Sequence, residues 1–379
     1  MNLVLVHDWL TGMRGGEKCL EPLCRRFPEA RLFTLLHRRG STSPAIERMR
    51  ITTSFLQRLP GSRRHYRYLL PLMPRAIERL RLPADADLVL SFSHAVAKGV
   101  RTPPCVPHVC YCFTPMRYAW QMRDDYLGRE GDADAGRKKL KGLKRTAVEA
   151  VLDHLREWDE AASKRVTHFV AISRTIQERI QECYDRPSTI VYPPVDTEFY
   201  APADVPREDF YLCVSALVPY KRIDLAIAAC RRLGRKLIVI GDGPERGRLR
   251  SLSGEETQFL GWRNNEEIRD HMRRCRALLF PGLEDFGIVP VESQACGAAV
   301  IAYGRGGATE TVLSPQSDQP GTGLFFEEQT PEALIAAIER LEANPQQVSP
   351  IVARRNAERF STDRYEREIV ACLEQHSRM

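Results

Sequence analysis

One string combines residue types and spacing that suggest chemistry: Pro281-Gly282-Leu283-Glu284-Asp285-Phe286-Gly287-Ile288-Val289-Pro290-Val291-Glu292. An ionised carboxylate accepts two hydrogen bonds from vicinal hydroxyls, so Glu284 and Glu292 each suit a sugar or a ribose. The apolar residues 277–280 before the string read as a strand. Pro290 predicts a helix beginning near it, because proline fits the first helical position. Glu284 then falls in the loop and Glu292 in the first turn. The amides of Phe286, Gly287 and Ile288 point outward at the helix start, where the dipole favours an anion. The loop thus offers two hydroxyl acceptors flanking a phosphate cradle.

Other strand-end loops add candidates. Lys221 and Arg222 close Val214-Ser215-Ala216-Leu217-Val218-Pro219-Tyr220-Lys221-Arg222. Two adjacent cations at a strand end neutralise charge that develops on a departing diphosphate. Thr11-Gly12-Met13-Arg14-Gly15-Gly16-Glu17 follows the first strand, and Gly15 and Gly16 let a backbone approach a ligand closely ahead of a helix. His94 follows the strand 88–90 and can donate to a sugar hydroxyl; Lys98 is expected to face the same cleft. Gly241-Asp242-Gly243-Pro244-Glu245-Arg246-Gly247 has the spacing G-x-G-x-x-x-G, not the dinucleotide fingerprint G-x-G-x-x-G. Gly241 and Gly243 therefore read as a loop near a nucleotide, with Trp262 and Arg263, one strand later, flanking the base. Asp85-Ala86-Asp87 has a metal-binding form but precedes its strand, and reads as a polar strand entry. No His/Cys/Asp cluster has ligand spacing, so no metal is expected.

These loops must be held by elements, and the apolar pattern supplies them. Residues 3–6, 88–90, 106–112 and 167–171 read as buried strands of a first half. Residues 210–214, 236–240, 277–280 and 298–302 read as strands of a second. Helical stretches such as 223–233, 266–275 and 331–342 lie between. Unbroken apolar strands alternating with helices indicate an α/β chain with parallel sheets covered on both faces. The pattern restarts after Pro193 and Pro194, which predicts a first domain over 1–195, a second over 196–355 and a helical tail over 356–379. Ligands of such sheets bind beyond the carboxyl ends of strands, where the candidate loops lie; two facing sheets would share a cleft there.

The Glu284-x7-Glu292 string, followed by Gln294-Ala295-Cys296-Gly297 and Tyr303-Gly304-Arg305-Gly306-Gly307-Ala308-Thr309-Glu310, resembles the retaining glycosyltransferases of family four. The resemblance extends to Ala171-Ile172-Ser173-Arg174-Thr175, to Tyr192-Pro193-Pro194-Val195-Asp196 and to Tyr111-Cys112-Phe113-Thr114-Pro115-Met116-Arg117-Tyr118-Ala119-Trp120. The last string is similar to a subgroup of bacterial mannosyltransferases of surface-polysaccharide and O-antigen assembly. The resemblance implies the GT-B fold of two facing Rossmann-like domains. It implies a nucleotide-sugar donor, with GDP-mannose the first choice, and no cofactor. Glu284 would contact the donor sugar, Glu292 the ribose, Lys221 the phosphates, and His94 would position hydroxyls. The family's arginine five residues before the lysine is absent; Ala216 stands there, and Arg222 is the neighbouring cation that could substitute.

Composition narrows the setting. The chain has 379 residues, 43% hydrophobic and 28% charged, which fits a globular protein of two domains. Its start reads as a buried strand rather than a signal peptide, and its eleven scattered cysteines fit reduced cytoplasmic thiols. Residues 1–195 hold 33 Lys+Arg against 21 Asp+Glu, and residues 196–379 hold 23 against 28. The basic excess is dense over 58–81, where Arg58, Arg63, Arg64, Arg67, Arg75, Arg79 and Arg81 mix with leucines, and over 137–145. Such mixtures suggest an anionic membrane surface and a polyprenyl-diphosphate-linked acceptor at the inner membrane face. Nucleic acid is disfavoured, since no stacking or zinc motif accompanies the charge. A nucleotide-sugar epimerase of the same fold and a non-catalytic partner subunit stay open as alternatives. A nicotinamide oxidoreductase is disfavoured by the glycine spacing.

Overall fold

A computed structural model describes residues 1–120, 142–317 and 319–377. The chain divides into two compact units, residues 1–192 with 366–379 and residues 193–365. Among the described residues the first unit contains the strands β1 (Leu3–His7), β2 (Arg31–Thr34), β3 (Arg50–Thr53), β4 (Leu88–Ser93), β5 (His108–Cys112), β6 (His168–Ala171) and β7 (Ser188–Ile190). β1, β4 and β5 are buried at every position, as a central parallel strand covered on both faces must be. Every pairing is parallel, in the order β3-β2-β1-β4-β5-β6-β7. Helices α1 (Gly15–Arg26), α2 (Leu143–Ser163) and α3 (Arg174–Tyr184) belong to this unit.

The second unit repeats the construction. Its strands β8 (Tyr211–Val214), β9 (Leu237–Ile240), β10 (Thr257–Gly261), β11 (Ala277–Phe280), β12 (Ala299–Tyr303) and β13 (Gly323–Phe326) pair in the order β10-β9-β8-β11-β12-β13, all parallel. Helices α4 (Ile223–Leu233), α5 (Ile288–Ala295), α6 (Pro331–Ala343) and α7 (Pro350–Glu358) accompany them. Leu225, Ala229, Leu334, Ala337 and Ile338 pack with Leu237, Val239 and Leu279 in one core. In each sheet the direction of strand succession reverses once, between β1 and β4 and between β8 and β11. Loops leaving such neighbours turn to opposite faces and open a crevice at the carboxyl ends.

The C-terminal helix α8 (Thr362–Ser377) returns the chain to the first unit, where His376 stacks on His168 with ring centroids 4.2 Å apart. Among the described residues no helix is long and apolar enough to cross a membrane.

Two expectations change. The helix of the glutamate string begins at Ile288, not Pro290, because Gly287 at φ +90° sets its entry. Pro290 is tolerated inside the first turn, where amides have no intrahelical acceptor. Lys98 faces no cleft. It is fully buried, with Nζ 2.5 Å from Asp159 Oδ1, and it donates to Ala95 O at 2.8 Å. Asp159 also accepts Trp120 Nε1–H at 3.0 Å and the Tyr184 hydroxyl at 2.6 Å. This network ties the end of the 111–120 string to α2 and α3. Removing one partner of a buried pair leaves an uncompensated charge, so the role of Lys98 is structural.

His108, at the start of β5, is buried with Nε2 2.8 Å from Ser91 Oγ. Burial, aided by the Arg165 charge, pushes its pKa down to about 3. A histidine with a depressed folded-state pKa contributes full stability above its unfolded value and loses it as pH falls below that value. At about pH 5 the loss is about 2 kcal/mol for an unfolded value near 6.5. The unfolding free energy of His108→Gln should therefore fall about 2 kcal/mol less than that of the wild type between about pH 7.5 and pH 5. Equal pH dependence in denaturant titrations would contradict the buried neutral ring.

Candidate functional site

In the second unit, β8 and β11 are neighbours, and the loops leaving them meet. The loop after β8 tightens into a short 3-10 turn, Pro219–Lys221. The loop after β11 passes so close to it that a Cβ on Gly282 would lie 2.9 Å from Lys221 Cα and 3.0 Å from Tyr220 O. Glycine is what permits the approach. It brings the Lys221 ammonium and the Glu284 carboxylate into an ion pair, with both side chains partly exposed. Lys221 Nζ also lies 5.3 Å from the centre of the Tyr220 ring. Val214, Ser215, Ile223, Leu279, Phe280 and Pro281 line the crevice beside the pair.

The loop after β12 buttresses Glu284 from the other side. Gly307 N–H donates to Glu284 O at 2.8 Å. A Cβ on Gly307 would fall 2.3 Å from Phe286 Cα, and one on Gly306 2.5 Å from Glu284 O. The paired glycines thus let backbone pack on backbone. Phe286 points inward, its ring edge-on to Phe360 at 5.5 Å, so its side chain anchors the loop. Gly287 and Ile288 stand at the start of α5, where the geometry leaves first-turn amides without intrahelical acceptors and favours an anion.

Glu292 is not in the first turn. It is the fifth residue of α5 and only 3% exposed. It accepts the Tyr200 hydroxyl, whose pKa is raised by burial and by this carboxylate, so Tyr200 stays a neutral donor. Arg222 sits in the left-handed region at φ +50°, and its guanidinium engages Asp224 at 3.3 Å. It is held on the first turn of α4 rather than on Glu284. Ala216 is exposed. Gly241 and Gly243 serve a close approach: Cβ atoms there would fall 1.8 Å from Ser215 O and 2.3 Å from Leu217 O. The β9 loop is thereby laid against the β8 loop. Arg263 pairs with Glu267 at 3.2 Å and donates to Trp262 O at 2.9 Å. The Trp262 indole is 76% exposed, an open aromatic face at the end of β10.

In the first unit, the crevice between β1 and β4 holds His94. Its Nδ1 lies 2.9 Å from Asp8 Oδ2, and its ring meets Trp9 edge-on at 4.5 Å. Asp8 is fully buried and accepts the amides of His94 and Ala95 on one oxygen and of Val96 and Ala97 on the other, all at 2.7–2.9 Å. Burial pushes the Asp8 carboxyl up, but the charge and hydrogen bonds of His94 outweigh it and hold it below the ordinary range. Gly15 opens α1, with Glu17 capping the Arg14 amide at 3.0 Å. A Cβ on Gly16 would meet His7 Nε2 at 3.1 Å and Phe113 at 3.3 Å. His7 donates Nδ1–H to Trp9 O at 3.0 Å, and burial lowers its pKa.

Sequence reasoning missed Asp8 and Tyr200. An acid directly after an unbroken buried strand was a usable signal for Asp8, since a charge there needs partners. No local signal marked Tyr200.

The basic region over 58–81 presents exposed Arg58, Arg64, Arg67, Arg75, Arg79 and Arg81 beside exposed Phe55, Tyr68 and Leu72, with Tyr68 83% exposed. Among the described residues none of these arginines forms an ion pair; Glu78 is taken by Arg101 and Arg165 at 3.2 and 2.8 Å. Of the run 137–145, residues 137–141 lie outside the described residues.

Comparison with known proteins adds an independent line. Residues 13–199 match the family described as Glycosyltransferase Family 4, and residues 196–359 match Glycosyl transferases group 1. An uncharacterized glycosyltransferase of Methanocaldococcus jannaschii is 29% identical over 44% of this chain and 46% of its own. A GDP-mannose-dependent alpha-(1-6)-phosphatidylinositol monomannoside mannosyltransferase of Mycolicibacterium smegmatis is 27% identical over 47% and 53%. The chain thus spans about half the length of these curated relatives. The crystal structure of Anabaena HepE with UDP and glucose superposes with a TM-score of 0.69 at 18% identity, covering 98% of this chain and 99% of that one. That likeness shows the fold, α/β with Rossmann-like units of the GT-B class.

Gly307→Ala should lower unfolding stability by ~1–3 kcal/mol, the range for overpacking. Gly247→Ala, where a Cβ meets nothing within 4 Å, should be neutral or stabilising. A wild-type melting temperature for Gly307→Ala would show that the two loops do not support each other.

Proposed function

The chain belongs to the family-four glycosyltransferases, and we propose that it transfers a hexosyl group, with retention, from a nucleotide sugar to a lipid-linked saccharide. The observation that carries this reading is the Lys221–Glu284 pair at the crevice between β8 and β11. A cation and a hydroxyl acceptor in contact match the two demands of a sugar nucleotide at its scissile bond. Lys221 stabilises charge on the departing diphosphate, with the amides of Gly287 and Ile288 at the start of α5 as further donors. No metal or other cofactor enters this reading, because the lysine and the amides neutralise the leaving group.

Glu284 orients the donor sugar through its hydroxyls. Glu292, fixed by Tyr200, is assigned the ribose, and Trp262 the base, whose π-face an exposed indole can stack upon. The glycines Gly241 and Gly243 shape the nucleotide side, while Arg263 flanks it. Gly15 and Gly16 shape the loop after β1 in the first unit, and His94 contacts a sugar hydroxyl. Arg222 is the weakest member of this assignment, since Asp224 already holds it. Mannose from GDP-mannose is the first choice, supported by the mycolicibacterial relative's named donor. The subgroup resemblance of the 111–120 string points the same way.

Glu284→Ala should abolish transfer while the melting temperature stays near that of the wild type. Retained turnover would overturn the site. A thermal-shift panel of GDP, UDP, ADP and their sugars selects the donor, because a ligand that binds only the folded state raises apparent stability.

The exposed arginines and aromatics over 58–81 support a cytoplasmic protein peripheral to the inner membrane face, where a polyprenyl-diphosphate-linked acceptor would lie. The protein should sediment with anionic liposomes more than with neutral ones, and a charge-reversing double variant, Arg67→Glu with Arg75→Glu, should remove the difference. Equal sedimentation of the wild type with both lipids would refute the membrane role.

A further inference from the structure

We propose that Asp8 is a positioning residue that locks the neutral His94 ring in its Nδ1–H tautomer and so presents Nε2 as a hydrogen-bond acceptor for a sugar hydroxyl. The inference rests on the reading above that saccharide binds beyond the strand ends of the first unit, and it fixes the direction of one hydrogen bond there.

The argument starts from what a carboxylate can do. Ionised Asp8 has only lone pairs, so the ring nitrogen 2.9 Å from its Oδ2 must carry the hydrogen. The neutral ring then has its single N–H committed to Asp8, and Nε2 is left as an acceptor. The sequence alone suggested that His94 donates to a hydroxyl; the position of Asp8 reverses that direction.

The carboxylate is itself immobilised. Oδ2 accepts the His94 and Ala95 amides at 2.7 and 2.9 Å, and Oδ1 accepts the Val96 and Ala97 amides at 2.7 Å each. Consecutive amides curled around an anion form a backbone nest. Here the anion is the protein's own side chain, delivered from the end of β1 to the turn after β4. With both oxygens pinned, the direction of the bond to Nδ1 is pinned as well. Trp9, edge-on at 4.5 Å and an interplanar angle of 85°, limits ring tilt on one side, and Phe113 lies 6.3 Å away on another. The ring keeps 30% of its side-chain surface exposed, so the held group still faces solvent. A turn that needed only capping would be satisfied by the four amide bonds; the fifth bond, to the ring, orients an exposed imidazole.

The test reads the tautomer directly. Nitrogen-15 NMR of the histidine rings of the full chain, in alkaline solution where imidazoles are neutral, should show His94 Nδ1 protonated and Nε2 bare, with His94→Gln assigning the signal. A proton on Nε2 overturns the proposal, with no activity required. In Asp8→Ala the acceptor of Nδ1–H is gone, so the ring should shift toward Nε2–H, the tautomer a free imidazole favours. Transfer by that variant should lose about tenfold or more in kcat with donor KM little changed, as expected when only a tautomer is wrong. An unchanged ring tautomer in folded Asp8→Ala also overturns the proposal. Undiminished transfer by His94→Ala would instead sink the functional reading beneath it, a failure the NMR signal distinguishes.

Discussion

The site depends on one contact, the ion pair between Lys221 and Glu284, and on the strand order that makes it possible. The two residues are far apart in sequence. They meet because β8 and β11 are adjacent, and because succession reverses between them, so that their loops diverge and leave a crevice at the carboxyl ends. Glycine completes the approach: Gly282 admits the lysine backbone, and Gly306 and Gly307 admit the carbonyl side of the Glu284 loop. Without a ligand, the pair satisfies both charges at once. In the proposed reading a diphosphate entering the crevice would offer the lysine a second anion and release the carboxylate toward sugar hydroxyls. The pair is thus a crevice ion pair whose members compensate each other.

The first unit uses the same device at the equivalent place in its own sheet. β1 and β4 are its reversal neighbours, and their loops bring Asp8 to His94. In both units, then, an acid and a base from the two strands of the reversal are held in contact. The difference lies in burial. Asp8 is sealed from solvent and bound by four amides, which fixes the oxygen that meets His94. Glu284 and Lys221 are partly open, so their bond can be exchanged. In the proposed reading one pair orients a ring and the other exchanges for a ligand.

Much of this was readable in the residues, for physical reasons. The strand Ala277–Phe280 and the helix Ile223–Leu233 are found where the apolar pattern put them, because burial on both faces of a parallel strand forbids polar interruptions and a one-sided helix enforces its period. The edge strands β3 and β7 gave little signal: Arg50–Thr53 and Ser188–Ile190 are short and half-exposed, so polar residues are tolerated in them. Pro290 points to a helix start two residues too late, because the entry is set by Gly287 in the left-handed region. Lys98 looked like a cleft cation since its partner Asp159 lies on a distant helix, and only the packed unit shows the pair. The types at the strand ends were legible; which of them touch was not, because that is set by strand order.

The central claim is that Lys221 holds Glu284 until a diphosphate takes its place, and a double-mutant cycle measures this directly. Calorimetric affinities for the nucleoside diphosphate of the donor are needed for the wild type, Lys221→Ala, Glu284→Ala and the double variant. Without a sugar to orient, Glu284 is only a competitor for the lysine. Glu284→Ala should therefore bind the nucleoside diphosphate more tightly than the wild type, and Lys221→Ala should bind at least about tenfold more weakly. The gain from removing Glu284 should vanish in the Lys221→Ala background, a coupling of ~1 kcal/mol or more. Strictly additive effects, or a loss of affinity from Glu284→Ala equal in both backgrounds, would show that the two side chains act independently and would contradict the account.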